Sequence, residues 1–192
     1  TSPNPSGTTG GDVSAETTTR TEDGTSEAEV TTTEEPVTTT APIFDPGTPL
    51  TLVSNGNTSF KIIFGQKASA EAMTAISSLR GVLKDTTSAS FGMLPDSTPE
   101  KDKEFIVGHT TRADEKAFRA ELAADHTYAF GIKVTEKKVI VTATHEDFVP
   151  MAVDYFVAHY LETAPNGTVT LKDGTYQLTT NAGVVISGEK SD

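Results

Sequence analysis

Cysteine is absent, which removes disulfide staples, thiolate nucleophiles and Cys-ligated zinc together. Histidine is scarce as well: with only His109, His126, His145 and His159, a closed zinc site would have to combine His from distant elements with carboxylates. His145-Glu146 begins like a His-Glu-x-x-His motif, but Val149 stands where the second His belongs, so no metal site and no cofactor are expected. A Gly-x-Ser-x-Gly nucleophile elbow is missing too. No stretch approaches the roughly 20 apolar residues that cross a bilayer, and the first residues lack a basic-then-apolar leader pattern. Basic clusters are equally absent. With 15 Lys and Arg against 27 Asp and Glu the formal net charge is −12, which repels nucleic acid phosphates and anionic headgroups, so no nucleic acid partner is expected.

What is present divides near Leu50. Residues 1–49 hold nine Asp or Glu against Arg20 alone, a net of −8, and their only large apolar side chains are Val13, Val30, Val37, Ile43 and Phe44. Thr, Ser, Glu, Gly and Pro recur there without helical or strand periodicity. Such a segment cannot bury enough apolar surface to offset the entropy of ordering it, so residues 1–49 read as a disordered acidic linker. Tethers of this composition commonly hold a folded domain away from a cell envelope or separate modules of a secreted enzyme. The expected location is therefore extracellular or at the cell surface, tethered to the envelope.

Residues 50–186 read as one small α+β domain, with residues 187–192 as a tail or linker. Leu50-Thr51-Leu52-Val53 and Phe60-Lys61-Ile62-Ile63-Phe64 flank Asn55-Gly56, the simplest reading being a hairpin. Ser69 is a helix cap, followed by Ala72, Ile76, Leu79 and Leu83 on one face, with an end expected near Lys84 to Asp85. Phe91-Gly92-Met93-Leu94 is a weak strand closed by Pro95. Glu104-Phe105-Ile106-Val107 is short and continuously apolar after its first residue, as a central strand would be. A second helix from Thr111 or Arg112 carries Ala113, Ala117, Phe118 and Leu122. A hairpin then joins residues 128–134 to 139–143 across Glu136-Lys137. A last helix from about Glu146 to Leu161 has Val149, Val153, Phe156 and Tyr160 on one stripe, with Pro150 in the first turn. Residues 168–171 and 176–178 suggest a small edge hairpin. The sheet can be mixed or mainly antiparallel, with two to three packed helices.

Among candidate site residues, Gly108-His109-Thr110-Thr111-Arg112 is a polar cluster at a strand end, where ligands are often held. Arg112 could grip a carboxylate or phosphate with two parallel hydrogen bonds, flanked by His109 and Thr110. The same residues also suit internal duties, with Thr110 or Thr111 capping a helix and Arg112 pairing with a nearby acid. Glu146 and Asp147 are neighbours at a helix start, where acids favour the dipole, so they do not read as a glycosidase pair. Of the aromatics, Phe130 and Phe156 are expected to be buried, while Tyr128, Tyr155 and Tyr160 could keep a hydroxyl at the surface.

The order of these elements, with Phe60-Lys61-Ile62-Ile63, Ala68-Ser69-Ala70-Glu71 and the run Lys103-Glu104-Phe105-Ile106-Val107-Gly108-His109-Thr110-Thr111-Arg112, resembles a known module. It looks like the noncatalytic N-terminal domain of family 20 β-hexosaminidases and family 67 α-glucuronidases, over roughly residues 50–162. The resemblance implies a zincin-like α+β fold without the metal site, and a Glu-Ile-x-Ile-Gly-x-Thr-x-Arg-like segment as its signature. Thr144-His145-Glu146-Asp147 replaces the Gly-rich turn that often precedes the last helix in that family. A (β/α)8 barrel takes about 250 residues, more than this chain holds. The expectation is thus a noncatalytic accessory domain that orients an adjacent catalytic module. The alternative is a stand-alone module binding a cell-envelope glycan or protein, and the oligomeric state is left open.

Overall fold

Ser69 shows how local chemistry starts the domain. Its backbone is extended, its hydroxyl accepts from the Ala72 N–H at 3.1 Å, and α1 (Ala70–Thr87) follows with Ala72, Ile76, Leu79 and Leu83 buried as their spacing requires. The helix runs past Lys84 because the Thr87 hydroxyl donates to the Leu83 carbonyl, and Ser88 closes the end in the left-handed region at φ 60°.

The computed structural model describes residues 47–162, 168–171 and 174–187. The acidic linker expected over 1–49 lies outside them up to residue 46, as do residues 188–192. Among the described residues the remaining elements are β1 (Pro49–Val53), β2 (Lys61–Phe64), β3 (Gly92–Pro95), β4 (Glu104–Val107), α2 (Ala113–Asp125), β5 (Ala129–Val134), β6 (Lys138–Ala143), α3 (Val149–Phe156), β7 (Thr168–Leu171), β8 (Thr175–Thr179) and β9 (Val184–Ser187). The fold is α+β with a mixed sheet. Six strands take the order β3-β2-β4-β6-β5-β9, and β1-β8-β7 form a separate three-stranded sheet. The run β3, β2, β4 and β6 is parallel, whereas β6, β5 and β9 are antiparallel.

The hairpin expected between residues 50–53 and 60–64 is not formed. Its turn exists, with Asn55 and Gly56 at φ 49° and 70° and Ser54 and Asn57 bonded both ways, but the strands part after it. β1 pairs with β8, Leu50 opposite Leu178, while β2 enters the large sheet between β3 and β4. The Asn-Gly signal reports the turn alone, and the long-range partner of each strand is decided by where its apolar face is covered. β9 was not anticipated at all. Residues 184–187 pair with β5, Val184 opposite Ile132 and Ile186 opposite Phe130.

α1 and α3 lie on one face of the large sheet, over an apolar cluster that includes Ile62, Phe105, Val107, Ile132, Val139 and Val141. α2 lies on the other, over Ile63, Ile106 and Ile140, with Phe118 and Leu122 pointing down. Gly131 and Gly183 make the seat for Phe118, since a Cβ at either would come within 2.7 Å of its ring. Ala113 and Ala117 of α2 are exposed, and Glu115 is buried beside Phe118 and Leu122. β4 is buried along its whole length, in keeping with its central place. Pro95 lies within β3, where an edge strand tolerates the missing donor.

The last helix is continuous from Glu146 to Glu162 but changes pitch. A 3-10 turn (Glu146–Phe148) leads into α3, Pro150 sits in its first turn, and Val157–Glu162 widens to a π-helix. Val149, Val153, Phe156 and Tyr160 are buried as one stripe, with Phe156 stacked on Tyr160 at 5.1 Å and tilted against Phe105 at 5.2 Å. The Tyr160 hydroxyl does not reach the surface but is buried, without a hydrogen-bond partner among the described residues. Burial, with Tyr155 nearby, pushes that phenol up to about 12.

Candidate functional site

Four parallel strands ending together bring four loops to one edge. The chain leaves β2 at Phe64, β3 at Pro95, β4 at Val107 and β6 at Ala143, so Gln66, Asp96, His109 and Thr144 emerge at that edge. This is the edge where ligands of parallel sheets are usually held. The loops approach closely. A Cβ on Gly65 would stand 2.0 Å from the His109 carbonyl oxygen, and Gly108 adopts φ +77° beside Val149.

His109 is a quarter exposed. Its Nε2 lies 2.7 Å from the Ala143 carbonyl and its Nδ1 3.1 Å from Glu146 Oε2. Glu146 Oε1 accepts from the Ser69 N–H at 3.3 Å, so the three residues tie the ends of β4 and β6 to the start of α1. Thr110 is buried. Its N–H donates to Glu115 Oε2 at 3.0 Å and its hydroxyl accepts from the Arg112 N–H at 3.3 Å. The expected threonine cap on α2 is replaced by this turn, because Arg112 itself occupies the cap position without a side-chain bond to the helix.

Arg112 is only 6% exposed, not the exposed group its loop position suggested. Nε and Nη2 donate to the two oxygens of Glu104, each at 2.9 Å, while Nη1 donates to the Asp96 carbonyl and Nη2 to the Thr98 carbonyl, both at 3.0 Å. Glu104 is fully buried and also accepts from the Lys101 N–H. The guanidinium is thereby matched by internal acceptors in the bidentate geometry that makes such pairs strong.

Three acids central to this network were not singled out from the sequence. Glu104 heads an apolar run, Glu115 sits in the first turn of α2, and Asp96 follows Pro95. Asp96 Oδ1 accepts from Gln66 N–H and Oδ2 from Thr111 N–H, at 3.0 and 2.8 Å, clasping the loops after β2 and β4. Burial alone would raise its carboxyl, but the bonds from Gln66 and Thr111 and the charge of Arg112 outweigh it and hold the group below the usual range. Glu115 is buried and accepts from Thr110, from the Thr142 hydroxyl at 2.8 Å and from Arg119 Nε at 2.8 Å. A spacing signal existed only for Glu115, three residues beyond Arg112 as in a capping box.

Elsewhere, a cleft of about 720 Å³ opens between the β5–β6 turn and α2, lined by Lys101, Lys133, Lys137 and Lys138 and by Glu100, Asp102, Asp114 and Glu136. Lys138 is held there by Glu100 and by Asp114 at 2.6 Å. Burial would lower its ammonium, but the two carboxylates outweigh it and raise it. No group of three or more His, Asp or Glu among the described residues is placed to hold a metal ion. No helix among the described residues is long and apolar enough to cross a membrane.

No family model matches the chain, and no curated relative matches it in sequence. Similar solved structures include CpGH84D, at TM-score 0.42 and 12% identity over 72% of this chain and 22% of that one. Another is the Flavobacterium johnsoniae chitobiase FjGH20, at TM-score 0.38 and 11% identity over 73% of this chain and 19% of that one. The chain spans about a fifth of the length of each.

Proposed function

We propose that this chain is a noncatalytic accessory domain of a secreted or surface-anchored carbohydrate-active protein, which packs against and orients a neighbouring module. One observation carries the reading. The run Glu104 to Arg112, on which the resemblance to hexosaminidase and glucuronidase accessory domains rests, is engaged with itself and with its own domain. Glu104 grips Arg112, Gly108 turns the chain, Thr110 bonds Arg112 and Glu115, and Thr111 bonds Asp96. What resembles the family is thus a device for holding four loops together, in keeping with a structural role. Catalytic acids of glycosidases, in contrast, are kept facing a cleft with one carboxyl raised, whereas the buried acids Glu104, Glu115 and Asp96 each have internal donors.

The test is to express the reading frame to either side of these residues as one longer protein and compare its calorimetric unfolding with that of the 192-residue chain. The accessory role predicts a higher unfolding midpoint for this domain in the longer protein, and glycosidase activity only there. An unchanged midpoint, or hydrolysis of chromogenic glycosides by the short chain, contradicts it.

A further inference from the structure

The last helix presents a second face at the margin of the core, where Phe148 and Tyr155 pack against it with part of their surface and leave the rest outside. Phe148, Met151, Tyr155 and His159 follow one another at spacings of three, four and four residues, which places them on one helical stripe. Met151 is 49% exposed, one of two large apolar side chains so exposed among the described residues, and Phe148, Tyr155 and His159 are half-buried. The stripe continues sideways. Phe148 contacts Tyr128 at 5.7 Å and His145 at 6.5 Å, Tyr155 contacts Phe130 at 5.6 Å, and Tyr155 stacks on His159 at 4.1 Å. From His145 to His159 the rings extend about 20 Å along the helix, enough for one side of an ordinary protein interface.

Fixed charge on the last helix itself has one sign. Residues 146–162 include Glu146, Asp147, Asp154 and Glu162 and no Lys or Arg, and no basic residue other than His occurs between Lys138 and Lys172. Asp147 and Asp154 are exposed on the helix that carries the stripe. An aromatic and Met centre with a charged rim is the composition of a protein interface, and an acidic rim is complementary to a basic one. Apart from the stacked Tyr155–His159 pair, the rings are tilted against their neighbours by 38° to 60°, so they do not form one continuous flat shelf.

We infer that this side of the last helix is a docking surface for a polypeptide face with an apolar centre and a Lys/Arg rim. Identifying that face with the neighbouring module rests on the accessory role proposed above; the surface chemistry does not. The experiment uses the full chain with methyl-labelled methionine, which yields three signals, from Met73, Met93 and Met151. The probe is a synthetic amphipathic helical peptide of leucine and lysine, compared with its leucine–glutamate counterpart and with neutral chito- and cello-oligosaccharides.

The leucine–lysine peptide is expected to move the Met151 signal and leave those of Met73 on α1 and Met93 on β3 in place. Exchanging both exposed acids, Asp147→Lys with Asp154→Lys, should weaken that binding about tenfold, read as a smaller movement of the Met151 signal at equal peptide. Three outcomes would overturn the inference: no movement of Met151, equal movement of all three signals, or movement with the oligosaccharides in place of the peptide. If the longer protein shows the raised midpoint while Met151 ignores the peptide, the accessory role stands and this surface is wrong. A responsive Met151 with an unchanged midpoint separates them the other way.

Discussion

The two faces of the six-stranded sheet are closed by different physics. Under α1 and α3 lies a broad apolar layer in which Ile62, Ile76, Phe105, Val139 and Phe156 are fully buried. Under α2 the apolar layer shrinks to Ile63, Ile106, Phe118, Leu122 and Ile140, and the remaining space holds Glu104, Arg112, Glu115, Thr110 and Thr142. Apolar burial stabilises the first face in proportion to area, without regard to direction. The polar set on the second face contributes little net stability, because desolvating two charges offsets most of their attraction, but it permits only one arrangement of the loops. Separate faces therefore serve separate ends: one holds the domain together, the other fixes the edge at which its parallel strands finish.

Breaking each face should reveal that difference. Phe105→Ala removes a central ring from the apolar layer and is expected to cost about 4 kcal/mol, read as a lower denaturant midpoint with an unchanged slope. Arg112→Met leaves the Glu104 carboxylate buried and uncompensated, at a cost of about 3 kcal/mol. The double change Arg112→Met with Glu104→Leu should recover most of that loss, and a double variant as unstable as the single one would show that the pair stabilises more than its geometry requires. Acid should act on the second face as well. The folded Asp96 carboxyl lies below its unfolded value, so its contribution is complete above about pH 4 and disappears as pH falls through the folded value. Asp96→Asn should accordingly flatten the loss of stability below pH 4 seen in a thermal titration. The smallest effect belongs to Tyr160→Phe, which deletes a buried hydroxyl with no partner among the described residues and should raise stability by up to about 1 kcal/mol. A loss of that size would show that the hydroxyl has an acceptor.

The apolar face was legible because periodicity reports it directly. Ala72, Ile76, Leu79 and Leu83, and likewise Val149, Val153, Phe156 and Tyr160, repeat at helical spacing and are buried. Strand partners were less legible. Asn55-Gly56 encodes a local turn, and nothing local records that β1 crosses to β8 or that Val184–Ser187 reaches β5. The candidate site fell between the two. His109, Thr110 and Arg112 do converge with the ends of neighbouring strands, but Arg112 is buried because Glu104, eight residues earlier, points to the same face of β4 as Ile106 and claims it. Burial of a charge depends on a partner whose position only the folded sheet supplies. Asp96 and Thr142 come from other strand ends, so no spacing along the chain could reveal them.

The measurement that tests the proposed role most directly is amide hydrogen exchange, compared between the 192-residue chain and a longer protein that carries the proposed neighbouring module. Slower exchange along residues 146–162 and at Tyr128 in the longer protein, with the loops around Arg112 equally protected in both, is the result expected of an accessory domain docked through its last helix. Identical exchange throughout the domain in the two proteins would contradict that account.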